Sequence, residues 1–135
     1  MIFIDTGIFL ANFLSTDQFH LVVKPNLESI FNEDLITTSD VIAETMNWLT
    51  RKTNSRLIQE IGTTLIEEEI TKIINVNYED RLEALSILKK YSDQKLSFTD
   101  ATSFAVIKKL KIKRIFSLDK HFKLIKGAEN ILELP

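Results

Sequence analysis

Ile2-Phe3-Ile4-Asp5-Thr6-Gly7 and Arg114-Ile115-Phe116-Ser117-Leu118-Asp119 stand near the two ends of the chain and decide its fold. Each is a short apolar run that gives way to small polar residues and a carboxylate. Such runs, bounded by turn signals, suit buried strands of a parallel sheet. Leu35–Thr38 and Thr71–Val76 have the same character and are rich in β-branched residues. Ile131–Leu134 is a candidate fifth strand. Helical patterns fill the intervals: Ile8–Leu14, Phe19–Asn32, Val41–Thr50, Ser55–Glu69, Tyr78–Tyr91 and a helix opened by Ser97. Pro25 is expected to start or kink its helix. Ser39 is expected to cap the helix that follows it. Strands alternating with helices predict an α/β fold of three layers, Rossmann-like, around a mostly parallel sheet of four or five strands. The 135 residues, with no linker or repeat, read as a single domain over 1–135.

Composition removes several chemistries. There is no cysteine, so disulfides, thiolate metal sites and thiol catalysis are excluded. His20 and His121 are the two histidines, too few for a multi-histidine zinc site in one chain. Gly7, Gly62 and Gly127 are too far apart to write a dinucleotide fingerprint or a phosphate loop. No apolar run approaches the roughly 20 residues of a membrane helix. The first residues lack the basic region of a signal peptide, so a cytoplasmic protein is expected.

In parallel α/β sheets, sites form outside the carboxyl ends of the strands. Four acids fall there. Asp5 ends the first strand, Asp119 follows the fourth, Glu44 lies on the helix after the second, and Asp100 lies in the first turn of the helix opened by Ser97. Each also has a structural reading: Asp5 and Asp119 as cap or turn residues, Glu44 as a solvated charge, Asp100 as a capping-box partner of Ser97. Four acids at one edge repel one another unless protons or a cation neutralise them. Oxygen-only ligands favour a hard cation, Mg²⁺ or Mn²⁺.

Four segments carry a resemblance to a known family. They are Ile2–Thr6, Thr38–Glu44, Leu96–Ala101 with its Thr99-Asp100-Ala101, and Ile115–Phe122 with its Ser117-Leu118-Asp119-Lys120-His121-Phe122. In this order they resemble the acidic motifs of the PIN domain, above all those of VapC-type toxins. The resemblance spans residues 2 to about 122 and carries the family's metal-site acids to Asp5, Glu44, Asp100 and Asp119. It places a small hydroxyl residue beside the site, at Thr6, Thr99 or Ser117. It implies a metal-dependent endoribonuclease, the toxin of a toxin–antitoxin pair, with Asp5, Asp100 and Asp119 holding one or two metal ions. Glu44 would ligate directly, hold a metal-bound water or act as a base. It further implies a homodimer and a small cognate antitoxin. The near alternative is a housekeeping RNA-processing PIN nuclease. Distant ones are a receiver-like signalling domain and a binding-only module.

An acidic site that takes a polyanion needs a basic rim. Lys108, Lys109, Lys111, Lys113, Arg114, Lys120, Lys123 and Lys126 crowd one stretch, and Arg51, Lys52 and Arg56 form a smaller group. Lys113, Arg114, Lys120, His121 and Lys123 are the candidate RNA contacts. Trp48 and Phe98 could stack on bases, but their apolar helical contexts favour core packing. His20 is expected to be structural or surface. The apolar stretch Ile8–Leu14 and the Leu57–Ile66 face are the candidate interfaces.

Overall fold

Ile2, Phe3 and Ile4 are completely buried, and consecutive strand residues point to opposite faces, so helices cover this strand on both sides. The computed structural model describes residues 1–132. Its strands are β1 (Ile2–Ile4), β2 (Leu35–Thr38), β3 (Lys72–Ile74), β4 (Arg114–Phe116) and β5 (Glu129–Asn130). Its helices are α1 (Thr6–Phe13), α2 (His20–Glu28), α3 (Ser39–Lys52), α4 (Ser55–Ile66), α5 (Tyr78–Lys90) and α6 (Phe98–Leu110), followed by a 3₁₀ turn at Lys120–Leu124. The sheet is parallel throughout, in the order β3-β2-β1-β4-β5. The chain therefore winds outward from β1 in one direction and returns to build the other half beside it. The switch point lies between β1 and β4, where Ile4 is in register with Phe116.

Packing fixes that point firmly. On one face Phe3 meets Phe122 of the 3₁₀ turn at 6.0 Å between ring centres, and Phe104 of α6 meets the same ring edge-on at 5.3 Å. Helix α6 is buried from Ala101 through Ile107, as a helix enclosed on nearly all sides must be. Thr37 ties β2 to β1 by donating to the Ile4 carbonyl at 2.8 Å. Helix α4 approaches α3 at Gly62, where an added Cβ would come within 2.8 Å of the Met46 methyl.

Several boundaries differ from expectation. Thr38, not Ser39, caps α3: its hydroxyl accepts from the Val41 amide, while Ser39 accepts from the Val76 amide and so ties α3 to the end of β3's loop. Pro25 lies within α2 rather than at its start. Helix α4 stops at Ile66, and Glu68 takes a left-handed conformation (φ 56°) from which its carboxylate accepts the Ile73 amide. Strand β5 is Glu129–Asn130, ahead of the expected Ile131–Leu134; Ile131 and Leu132 follow it, and residues 133–134 lie outside the described residues. The apolar residues of α1 are spent on the core: Ile8, Phe9, Leu10 and Ala11 are buried. Of the α4 face, Ile61 and Leu65 are buried and Ile66 is exposed.

Candidate metal centre

Asp5 occupies the N-cap position of α1 yet makes no side-chain capping bond. Its carboxylate, 6% exposed, instead accepts from the Ser117 hydroxyl at 2.9 Å. That hydroxyl oxygen also accepts the Asp119 amide at 2.9 Å, so Ser117 joins the acids that end β1 and follow β4. Asp119 caps the 3₁₀ turn by accepting the His121 amide at 2.9 Å. Glu44, one turn into α3, accepts from the Thr6 hydroxyl at 2.7 Å, which draws α3 towards the start of α1. Asp100 forms a full capping box with Ser97: each accepts the other's backbone amide, at 3.1 and 3.0 Å. The structural readings of Asp100 and Asp119 are thus both realised, and neither excludes a place in the site.

All four acids line one open cleft of 390 Å³ at the carboxyl ends of β1 and β4, together with Thr6, Ser97, Leu10 and Trp48. Ligand atoms of Asp100, Asp119 and His121 lie within 4.8 Å of one another. His121 Nδ1 sits 2.9 Å from Asp119 Oδ1 and 4.0 Å from Asp100 Oδ2. It is buried without the alignment a hydrogen bond needs. Of the hydroxyl candidates, Thr6 and Ser117 bond to the acids, whereas Thr99 makes no side-chain hydrogen bond to any of the four.

The electrostatics is that of acids short of a cation. Burial pushes the Asp5 carboxyl up to about 7, and repulsion from Asp100 and Asp119 adds to it, against the Thr6 amide and the Ser117 hydroxyl. Burial and the charges of Asp100 and Asp119 raise Glu44, against the Thr6 hydroxyl. Burial and Asp119 raise Asp100, although its bonds to Ser97 and the nearby His121 oppose this. A mostly oxygen donor set, crowded and unneutralised, with one buried imidazole nitrogen beside it, fits a hard divalent cation.

The basic residues divide across the sheet. Arg114 pairs in register with Ile2, at the amino ends of the strands, and its guanidinium grips Glu33 with two bonds of 2.8 Å. Lys113 stands beside it, one strand length from the acids. These two expected RNA contacts are therefore not brought to the cleft. Lys113 instead rims a separate groove of 520 Å³ between α5, α6 and the 3₁₀ turn, with Lys90, Lys108, Lys111 and Lys126. His121 stays beside Asp119 and Asp100, Lys120 between Asp119 and His121 is exposed, and Lys123 is exposed on the return towards β5. Trp48 is 41% exposed and Phe98 44%, so neither is the core residue its sequence context suggests. His20 is structural: its Nδ1 meets the Ala11 carbonyl at 2.7 Å.

A parallel sheet with an acidic cleft at its switch point defines a class, and comparison with known proteins agrees with it. Residues 2–128 match the PIN domain, and the chain belongs to that family. It is 27% identical over 122 residues to the 23S rRNA-specific endonuclease VapC20 of Mycobacterium tuberculosis, covering 90% of this chain and 92% of that protein. The crystal structure of that sarcin-ricin-loop-cleaving toxin superposes with a TM-score of 0.85 at 25% identity, covering 93% of this chain and 95% of VapC20. VapBC2 from Rickettsia felis, bound to a promoter DNA fragment, shares the fold at 16% identity with a TM-score of 0.71, covering 96% of this chain and 98% of that one. No helix among the described residues is long and apolar enough to cross a membrane.

Proposed function

We propose that this protein is a metal-dependent endoribonuclease and the toxin of a toxin–antitoxin pair, acting in the cytoplasm as a single PIN domain over residues 1–135. The observation that carries the reading is the convergence of Asp5, Glu44, Asp100 and Asp119 on one open cleft with no neutralising lysine or arginine lining it among the described residues. The likeness to VapC20 over nearly the whole chain supports both RNA as substrate and the toxin role.

Asp5, Asp100 and Asp119 would hold Mg²⁺ or Mn²⁺, with His121 within reach. A bound divalent cation supplies Lewis-acid activation of water and offsets charge building on the phosphoryl oxygens. Ser117 sets the rotamer of Asp5, and Thr6 that of Glu44. Glu44, with its carboxyl raised and one oxygen occupied by Thr6, is suited to exchange a proton with the attacking water. Lys120, exposed and next in sequence to Asp119, is the cation offered to an incoming RNA phosphate.

A small cognate antitoxin is the expected protein partner. The chain also pairs with itself through α5, where Tyr78, Leu82 and Leu85 form an exposed apolar stripe at positions i, i+4 and i+7. With the apolar residues of α1 spent on the core, this stripe stands beside the α4 face, where Ile66 is exposed, as the candidate dimer surface.

Purified protein with total RNA provides the test. Cleavage should require Mg²⁺ or Mn²⁺ and stop with EDTA; undiminished cleavage after exhaustive chelation sinks the mechanism. Expression in a bacterial host should arrest growth, and Asp5→Asn should relieve the arrest. Active nuclease without arrest favours a housekeeping RNA-processing enzyme.

A further inference from the structure

Helix α3 turns Val41, Ile42, Thr45 and Leu49 into the core. Another stripe of the same helix carries Glu44, then Trp48 four residues on, then Arg51 and Lys52. Residues at this spacing share a helix face, and Trp48 stands about 6 Å further along the axis than Glu44. Trp48 lines the acidic cleft. A large aromatic side chain 41% exposed beside a charged site has little to gain from water and a broad face to offer. The Arg51 guanidinium lies 5.6 Å from the ring centre and the Lys52 ammonium 5.5 Å. Both cations are exposed, and neither is ion-paired among the described residues. Lys108, Lys109 and Arg114, by contrast, each hold a carboxylate.

A part-exposed indole beside a metal-type acid, with two cations over its ring that hold no carboxylate among the described residues, matches the chemistry of a nucleotide: a flat base for stacking and a phosphate for the cations. We propose that Trp48, with Arg51 and Lys52, forms a stacking platform for an unpaired nucleobase next to the cleaved phosphate, and that the two cations hold the phosphate adjoining that base. This rests on the endoribonuclease reading and adds to it a residue that positions the RNA. A base within a continuous duplex has no free face to give, so the platform selects loops or single strands.

Trp48 is the chain's sole tryptophan, so its emission reports on this position alone. The probes are a 12-nucleotide oligoadenylate, the same length with an abasic residue walked along it, and the oligoadenylate paired with its complement. The protein is the full chain carrying Asp5→Asn, so that it binds without cutting. Expected are quenching of Trp48 emission that saturates with the affinity seen by anisotropy of labelled RNA, and weaker binding by the duplex. Trp48→Ala should weaken single-strand binding roughly 5- to 100-fold, and one abasic position should cost as much. The two losses should not add, and Trp48→Phe should retain most of the affinity. In the cutting enzyme Trp48→Ala should raise KM more than it lowers kcat.

Unchanged emission while the oligomer binds fully overturns the platform and leaves the nuclease reading standing. So does wild-type affinity in a Trp48→Ala variant of native circular dichroism. Emission that changes with protein concentration in the absence of RNA, and not on adding it, assigns the face to a second copy and also overturns it. Absence of any RNA binding or cleavage removes the nuclease reading and the platform together.

Discussion

Helices α5 and α6 begin with the same device and put it to opposite ends. Asn77 and Asp80 form a capping box at the start of α5, and Ser97 and Asp100 form one at the start of α6, with bond lengths of 2.9 to 3.1 Å throughout. The difference is the counter-charge. Asp80 receives the Lys109 ammonium at 2.8 and 3.0 Å; burial pushes its carboxyl up, but the Asn77 amide and Lys109 together hold it below the usual carboxylate range. Asp100 faces Asp119 instead of a lysine, and its carboxyl is raised. Position at a helix start therefore says little about what an acid does. A carboxylate left without a counter-charge, beside others in the same state, has the electrostatics that a divalent cation would relieve.

The largest expected separation between the two boxes is in catalysis. Asp100→Asn should lower RNA cleavage by orders of magnitude, because a held divalent ion supplies several kcal/mol of transition-state stabilisation. Asp80→Asn should leave cleavage near wild type and instead lower stability by about 2 kcal/mol, through the weakened charge-assisted bonds to Lys109. Initial cleavage rates beside chemical melts in EDTA read both. Equal losses of activity would mean that the counter-charge does not distinguish the boxes.

That distinction was half legible in the sequence. The Ser97–Asp100 spacing announces a cap, and the convergence of four acids on one sheet edge announces a candidate site; the structure forms the cap and lines the acidic cleft with the same carboxylate. Asp80 reads as a surface acid, since Lys109, its partner, is 29 residues away and only folding brings it close. The lysine-rich stretch misleads for a similar reason. Strand β4 runs through its middle, and β5 pairs parallel to β4, so the chain must travel back across the sheet between them. Neighbours in sequence thus end at opposite edges, and Arg114 pairs with Glu33, 81 residues distant. The strands themselves were readable because a parallel core demands unbroken apolar runs. Strand β5 was not, because Glu129 and Asn130 are exposed polar residues placed by register with Arg114 and Ile115 rather than by burial. The Ser39 cap failed because two adjacent hydroxyls, Thr38 and Ser39, both suit the role, and the bond from Val76 to Ser39 is long-range.

A smaller effect separates the boxes by pH. Asp5, Glu44 and Asp100 have raised carboxyls in the folded state, so the folded metal-free protein binds protons more tightly than the unfolded chain. Their contribution is fully present below the ordinary carboxylate value and is lost as pH rises through the folded value, about 7 for Asp5. Asp80 has the opposite sign: its contribution is present above the unfolded value and is lost as pH falls through the lowered one. In EDTA the wild type should lose on the order of a few kcal/mol between pH 4 and pH 7, relative to Asp5→Asn at the same two values. Mg²⁺ should restore stability at the upper end, since ion and proton compete for the same oxygens. Parallel pH profiles for wild type and Asp5→Asn in EDTA would show that burial and the neighbouring acids do not raise the Asp5 carboxyl.

The smallest effect concerns the caps alone. Asn77→Ala removes the acceptor for the Asp80 amide and should cost about 1 kcal/mol, as loss of an N-cap side chain does. Ser97→Ala removes the acceptor for the Asp100 amide and should cost a similar amount. Their consequences for cleavage differ. After Asn77→Ala, Asp80 still receives its own box amide and Lys109, and it lies outside the acidic cleft, so the rate should not change. After Ser97→Ala, Asp100 keeps one bond, from the backbone amide of residue 97, and its carboxylate is held at one oxygen with no lysine beyond it. Groups that orient a metal ligand are typically worth 10-fold or more; here the bond to the carboxylate survives and only the backbone beneath it loosens, so the rate should fall by less than roughly 10-fold. That loss should shrink as Mg²⁺ is raised, because a tighter-occupied site holds the carboxylate itself. A Ser97→Ala enzyme with wild-type rates at every Mg²⁺ concentration, in a protein destabilised by the expected amount, would show that the box at α6 serves the helix and not the metal ligand.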